Sequence, residues 1–364
     1  MRFTSIQTAQ FRNLANSTIP VGCRQVLLVG ENGQGKTNFL EALYVLCYGS
    51  SFRTQDFHDL VRIGETSFKL RGVFTDEQNL SHEISLLFKQ GKRTIQIDGK
   101  TLTDRKQLIY TIPCIVFSHA DITFVNGDPE DRRRFFDQTM SMYDSMFLDN
   151  LRRYKMLVKQ RNQAIKDEKY DLISLYDLQL AKYGLAIQRA RNQAVDEFNK
   201  IFPSLYRQVS GSDWNVTISY APSWKECESE DQVIQYLESG LERDKVMQTT
   251  TSGVHRDRFL VKVDGKLLVD VGSTGQIRLA SLLFRVAQMR FFQQKTGRKP
   301  LILLDDVLLE LDYEKRARFL TVIDAYDQAF YTFLPEEQYF DTLQGHDAMV
   351  YHVKEGELKL HEEA

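Results

Sequence analysis

Cysteine is scarce and scattered: Cys23, Cys47, Cys114 and Cys227 are the only four in 364 residues, and no two form a CxxC pair. That pattern offers neither a zinc knuckle nor a disulfide framework, and it points to a reducing compartment. No run approaches the roughly 18 consecutive apolar residues of a membrane-spanning helix. The opening MRFTSIQTAQFRNLANS lacks the apolar centre of a secretion signal, so a soluble, cytoplasmic chain with no membrane partner is expected. An excess of one charge is missing too. Lys and Arg number 47 against 49 Asp and Glu, which excludes a surface that attracts polyanions everywhere but leaves room for a local basic patch. Low-complexity tracts and fixed-period repeats are absent. With 42% hydrophobic and 26% charged residues the chain can build a core, and its length fits two domains or one domain with a large insertion.

What is present begins with VLLVGENGQGKTNFLEALYVL, starting at Val26. Gly30, Glu31, Asn32, Gly33, Gln34, Gly35, Lys36 and Thr37 match G-x-x-x-x-G-K-[ST]. Small residues at that spacing let successive backbone N–H groups turn inward around a phosphate. Lys36 reaches the β and γ oxygens, and the Thr37 hydroxyl serves a magnesium ion. The apolar run Val26–Val29 predicts a buried parallel strand. The stretch from Asn38 to Tyr48 predicts a helix whose N-terminus faces the phosphates. ATP or GTP with Mg²⁺ is the implied ligand.

A second apolar run, Leu301-Ile302-Leu303-Leu304, ends in Asp305-Asp306. An aspartate at the tip of such a strand can hold Mg²⁺ beside Thr37, and Asp306 is then placed to orient or deprotonate an attacking water. Glu310 could share the role of base, and by itself LLDD is equally a strand that ends in an acidic turn. Between the two strands lies Ser273-Thr274-Gly275-Gln276, followed by apolar residues at helical spacing: Ile277, Leu279, Leu282, Leu283, Val286 and Met289. Such a segment opens a helix. It presents a hydroxyl and free N–H groups suited to a γ-phosphate, although a plain helix cap would look the same.

The order of these three elements resembles that of ABC-type ATPases, in which the signature of one head caps the nucleotide held by another. The resemblance implies an ATP-bridged homodimer with two composite sites, released by phosphoryl transfer to water. IQTAQFRNLANSTIPV is similar to the opening of the SMC-like branch. FSHADITFVNGDPEDRRRFFDQ resembles a stretch typical of the RecF family, with Asp121, Gly127, Pro129, Arg132, Arg133, Phe135 and Asp137 in register. SGVHRDRF resembles its Gly-x-His-Arg-Asp element, and LLDDVLLELDYEKRARFL its acidic strand with a Glu-Leu-Asp loop. His119-Ala120 and Leu309 depart from the family pattern. Thr332 stands near the place where transporter-type heads carry a switch histidine, and the next histidine is His346.

The expected fold is α/β, an ABC-type ATPase head with an inserted, mainly helical second lobe. Residues 1–120 plus 296–364 would form the first lobe and 121–295 the second, which includes the signature and a helical lid. Phe147 to Phe202 predicts two helices broken near DEKYD, without the sustained heptads of a coiled-coil arm. That stretch carries 11 Lys/Arg against 7 Asp/Glu. Arg152, Arg153, Lys155, Lys159, Arg161, Arg189 and Arg191 are its candidates for phosphate contacts, each of which could equally be an ordinary solvated charge. The RecF resemblance implies a DNA-repair role. The ATP-closed dimer would clamp duplex DNA near gaps or single-strand/double-strand junctions, work with RecR and RecO, and so help place RecA. Hydrolysis would be slow, DNA-stimulated and used as a switch. A transport-coupling ATPase, an ATP-gated nuclease and an SMC-like ATPase acting on a non-DNA partner are the rival readings.

Overall fold

The computed structural model describes residues 1–336 and 347–361, with Glu310 described in its backbone only. His346 lies outside the described residues. The chain divides into two compact units, Met1–His119 with Phe292–Ala364, and Ala120–Phe291.

The first unit stacks its chemistry between two sheets. One is antiparallel, with strands in the order Ser17–Pro20, Arg2–Ala9, Ser67–Thr75, Ser81–Lys89, Lys92–Ile97 and Lys100–Thr101. Ser67–Thr75 shows why it is half-buried. Phe68, Leu70 and Phe74 alternate with Lys69 and Arg71, so one face is apolar and the other meets water. The second sheet runs Glu357–Leu360, Ala348–Lys354, Gln25–Val29, Gln328–Phe333, Leu301–Leu304 and Cys114–Phe117. All its neighbours pair in parallel except the Ala348–Lys354/Glu357–Leu360 hairpin. Its central strands are buried almost throughout, as continuous apolar runs must be when both faces are covered.

The helix Lys36–Tyr48 is buried from Phe39 to Tyr48 without interruption. Its Phe39, Leu43 and Leu46 share a core with Phe3, Ile6 and Leu70 of the first sheet and with Val26, Leu303 and Phe330 of the second. A helix apolar almost all round, with Glu41 its one buried carboxylate, is stable only inside a core. Gly49 ends it in a left-handed turn (φ 61°), donating its N–H to the Val45 carbonyl at 2.8 Å.

The second unit is mainly helical. Ser145–Lys166 and Ile173–Ser210 are two of its long helices, and the break between them includes DEKYD, as expected. Aspartate caps start two of its helices. Asp128 and Asp131 form a capping box at Pro129–Ser141, and Asp144 accepts from the Phe147 N–H. A small antiparallel sheet of Val216–Ala221, Arg258–Val263 and Lys266–Leu267 closes one side. The core is aromatic: Phe136 stacks on Phe259 at 4.2 Å and Phe202 on Phe284 at 4.3 Å between ring centroids. Among the described residues no helix is long and apolar enough to cross a membrane.

Candidate nucleotide site

Parallel pairing brings the two sequence motifs together. Gln25–Val29 and Leu301–Leu304 flank Gln328–Phe333, so the turns at their C-terminal ends leave the sheet on the same edge. After Val29 the chain enters the predicted loop. Gly33 (φ 79°) and Gly35 (φ 120°) take left-handed conformations, and a Cβ on Gly30 would sit 2.4 Å from the Val353 carbonyl oxygen. The glycines are therefore required by backbone geometry and close packing, independently of any ligand. Lys36 is buried and donates its Nζ to the carbonyls of Gly30 (2.6 Å) and Glu31 (3.2 Å).

Thr37 Oγ1 donates to Asp305 Oδ1 at 2.7 Å, across 268 residues of sequence. A hydroxyl and a carboxylate oxygen this close are hard donors of the kind Mg²⁺ takes, and neighbouring ligands on one Mg²⁺ lie about 3 Å apart. Thr37 and Asp305 thus fit the ion. Among the described residues no cluster of three or more His, Cys, Asp or Glu could hold a metal alone, so such an ion would take phosphate oxygens and waters for the rest of its shell. Burial raises the Asp305 carboxyl to about 6. The Thr37 hydrogen bond opposes that rise and the neighbouring Asp306 adds to it.

Asp306 adopts a left-handed conformation (φ 52°), uncommon for a residue with a side chain. Thr332 on the adjacent strand holds it there. Its hydroxyl accepts from the Asp306 N–H at 2.7 Å and donates to Asp306 Oδ1 at 2.6 Å. Thr332 therefore fixes one carboxylate oxygen and leaves the other available to a water. The side chain of Glu310, the alternative base, lies outside the described residues.

Three bracing contacts escaped sequence reasoning. Asn13 donates from Nδ2 to the Gly33 carbonyl (3.3 Å) and accepts at Oδ1 from Asn38 (2.7 Å). The Glu355-Gly356 turn donates to the Gln34 side-chain and backbone oxygens at 2.7 and 2.8 Å. Arg53 lines the same cleft of about 210 Å³ as Lys36, Thr37 and Asp306. It is anchored by Asn38 (2.7 Å) and by the fully buried Glu41 (3.2 Å), which Arg12 also grips through two nitrogens at 3.0 and 3.1 Å. Arg12 and Asn13 carried a signal in the FRN of the opening strands, and Gln34 and Asn38 lie in the phosphate-loop stretch; Arg53, Glu355 and Gly356 carried none.

The signature residues lie in the second unit. Ser273 and Gln276 form a reciprocal cap: Ser273 N–H donates to Gln276 Oε1 (2.8 Å), and Gln276 N–H donates to Ser273 Oγ (3.3 Å). The Ser273 hydroxyl hydrogen is not needed for that cap. Gly275 is exposed, and a Cβ there would meet nothing within 4 Å.

Two of the proposed phosphate contacts are corrected by burial. Arg191, 2% exposed, binds both oxygens of Asp137 (2.8 and 3.0 Å), Asp257 Oδ2 (2.8 Å) and the Val254 carbonyl (2.6 Å). Arg161, fully buried, pairs with Asp177 and Asp244, each at 2.6 Å. Both guanidinium groups are committed to internal ion pairs, as desolvating a cation requires, and neither presents its charge on the protein surface where a DNA backbone would lie. Arg152, Arg153, Lys155 and Lys159 are exposed on Ser145–Lys166. Arg152, Lys155 and Lys159 recur at i, i+3 and i+7 and so share a face. Arg153 donates to Tyr183 Oη (2.9 Å), and Arg189 to the Glu228 carbonyl (2.6 Å).

Two of the stretches that carried the family resemblance, those of the second unit, turn out to be chiefly architectural. Asp121 pairs with Arg285 at 2.9 Å, Arg132 donates to the Gly127 carbonyl (2.7 Å), and Asp137 and Asp257 hold Arg191. His255 lies between Tyr154 and Thr250. Tyr154 Oη donates to its Nδ1 (2.9 Å), and its Nε2 donates to the Thr250 carbonyl (3.0 Å). Burial pushes this imidazole down to about 4, with Arg256 and Arg133 adding to the effect. An unfolded histidine titrates near 6.5, so at mildly acid pH the unfolded chain binds a proton that the native chain refuses. The resulting stability is present above pH 6.5 and lost as the pH falls towards 4. Chemical denaturation at pH 6.5 and 4.5 should show a loss of about 1–2 kcal/mol from this site, allowing for partial exposure of the ring. His255→Gln should flatten that component; an unchanged pH profile in the variant would assign the loss elsewhere.

Comparison with known proteins agrees with this geometry. The family model for the RecF/RecN/SMC N-terminal domain matches residues 2–354. The DNA replication and repair protein RecF of Treponema pallidum (strain Nichols) is 40% identical over 329 residues, covering 90% of this chain and 93% of that one. RecF of Leptospira interrogans (serovar Lai) is 29% identical, covering 88% of each. A solved structure of the recombination mediator protein RecF with ATP, from the RecFOR pathway, superposes with a TM-score of 0.90 at 26% identity, over 99% of this chain and 97% of that one. An Smc head bound to the C-terminal winged-helix domain of ScpA shares the fold, with a TM-score of 0.59 at 14% identity. A phosphate loop, an acidic strand and the same head fold along nearly the whole length leave one assignment: the chain belongs to the RecF family.

Proposed function

We propose that this protein is an ATP-switched DNA-binding protein of replication and recombinational repair. The observation that carries the reading is the convergence of Lys36, Thr37, Asp305 and Asp306 on one sheet edge, with Thr332 holding Asp306. In this reading ATP with Mg²⁺ occupies the loop, with Thr37 and Asp305 toward the metal and Lys36 toward the phosphates. Ser273, Gly275 and the opening N–H groups of the signature helix cap the nucleotide of a second copy, so ATP joins two chains into a homodimer. Asp306 orients the attacking water, and slow hydrolysis reopens the pair.

The closed dimer would hold duplex DNA near gaps or single-strand/double-strand junctions. Arg152, Lys155 and Lys159, with Arg153 and Arg189, would supply backbone contacts that confer affinity and salt dependence without reading bases. Working with RecR and RecO, it would help place RecA on the single strand. The RecF–ATP relative supports the nucleotide, and the repair role follows that of the RecF relatives.

The test is fluorescence-anisotropy binding to a gapped duplex without nucleotide, with ADP and with ATP. Tighter binding with ATP alone, lost in Lys36→Met and in Arg152→Glu/Arg153→Glu, is the expected result. The double variant should still dimerise with ATP by light scattering. Binding indifferent to nucleotide would detach the DNA role from the Lys36 site, and unchanged affinity in the double variant would remove those two arginines from the interface.

A further inference from the structure

The second unit contains a cleft of about 360 Å³, bordered by the helices Pro129–Ser141 and Ser145–Lys166, by Arg191 of Ile173–Ser210 and by the segment 249–256. None of its residues belongs to the phosphate loop or the signature, and its polar chemistry is one-sided. Arg133 spends an Nη1 hydrogen on the Asp257 carbonyl (2.8 Å) and has no carboxylate within ion-pair distance among the described residues. Burial and the nearby Arg191 both work against its charge. Among the described residues the Arg256 guanidinium reaches only the Thr250 carbonyl, at 3.2 and 3.4 Å. Lys155 is exposed at the rim, and no described residue accepts from its ammonium. Asn162 turns its Oδ1 to the N–H and O–H of Thr250, both at 2.7 Å, which leaves its amide hydrogens without an acceptor among the described residues.

The cleft also contains two acids, and both are already faced by cations: Asp137 by Arg191 at 2.8 Å and Glu130 by Arg134 at 3.6 Å. What remains is a set of unspent donors with no matching acceptor, the complement of an anion that only accepts. One wall is apolar, from Leu151 and Val254. His255 is neutral and fixed between Tyr154 and Thr250, so it adds rigidity but no charge. The volume exceeds what a bare phosphate needs and falls in the range of small-molecule sites, about 300–1,000 Å³.

We propose that this cleft binds a phosphate monoester on an organic body of nucleotide size, with Arg133, Lys155, Arg256 and Asn162 donating to the phosphate oxygens and the Leu151–Val254 wall receiving the body. Two sources share that chemistry: a free nucleotide and the phosphorylated end of a nucleic-acid strand. The site does not depend on ATP at Lys36, so the two can be tested apart.

The experiment is calorimetric titration of Lys36→Met protein, whose phosphate loop is disabled, with deoxyadenosine 5′-monophosphate, deoxyadenosine and a tetranucleotide with or without a 5′-phosphate. The monophosphate should bind at least about tenfold more tightly than the nucleoside, since charge-assisted bonds to several donors are lost with the phosphate. Lys155→Gln and Arg133→Gln should each remove most of that preference. Lys155 is exposed, so its variant should keep the parent unfolding midpoint and read binding alone. A preference of the same size for the 5′-phosphorylated tetranucleotide assigns the strand end, whereas preference confined to the mononucleotide assigns a free nucleotide. Equal affinity for monophosphate and nucleoside, or a preference untouched in Lys155→Gln, would overturn the proposal.

Discussion

Replacing Arg191 by Met is expected to destabilise the protein by about 3–5 kcal/mol, the usual cost of leaving buried charges without their partner. Arg191 is the common ion partner of two buried carboxylates. Asp137 meets it through both oxygens, and Asp257 at 2.8 Å also receives the Ser223 N–H at 2.8 Å and the Tyr220 hydroxyl. Burial drives the Asp257 carboxyl upward and Arg191 pulls it back, so removing the guanidinium leaves the burial penalty unopposed. The loss should appear as an unfolding midpoint lower by roughly 10 °C or more, or as insoluble protein. Arg191→Lys keeps the charge but not the two-pronged geometry, and its loss should be smaller. The pair of variants separates two roles. A phosphate contact would weaken DNA binding and leave the midpoint alone, and a wild-type midpoint in Arg191→Met would restore that reading.

The second large effect is expected in catalysis. Asp306→Asn should bind ATP within a few-fold of the parent and hydrolyse it about 10²–10⁴-fold more slowly, the range set by loss of a positioned general base. The geometry makes the substitution mild for the fold. Asparagine retains the Oδ1 that accepts from Thr332 at 2.6 Å, and its N–H still reaches the Thr332 hydroxyl at 2.7 Å. Thr332→Val is the companion. It leaves the Asp306 N–H unpaired and its carboxylate free to rotate, so turnover should fall less than in Asp306→Asn while nucleotide affinity holds. Single-turnover hydrolysis with filter-binding affinities measures both. Normal turnover in Asp306→Asn would move the base elsewhere, with Glu310 as the next residue to replace.

Thr332 shows what the sequence concealed. Its position near a switch-histidine site was readable, but its role was not. The Thr332–Asp306 bond joins one strand to the turn that follows its parallel neighbour, and no local pattern encodes which side chains such pairing sets opposite each other. The Gln34–Gly356 contact was hidden in a similar way, because it joins loops that are remote in sequence.

Local chemistry was legible wherever one contiguous segment had to satisfy its own backbone. The loop from Gly30 to Thr37 needs glycines at left-handed positions and a helix directly after it. The acidic strand needs an unbroken apolar run, and Ser273-x-x-Gln276 caps its helix by the same atoms that made it readable as a cap. Those features, with their order along the chain, sufficed for an α/β head and its family. The fate of the charged side chains was decided only in three dimensions. Arg152 and Arg161 are both arginines in one basic helix and look alike as a sequence. One faces water, and the other is sealed against Asp177 and Asp244, 16 and 83 residues away. The cost of burying a charge depends on what meets it there, and that is settled by tertiary packing rather than by composition or period.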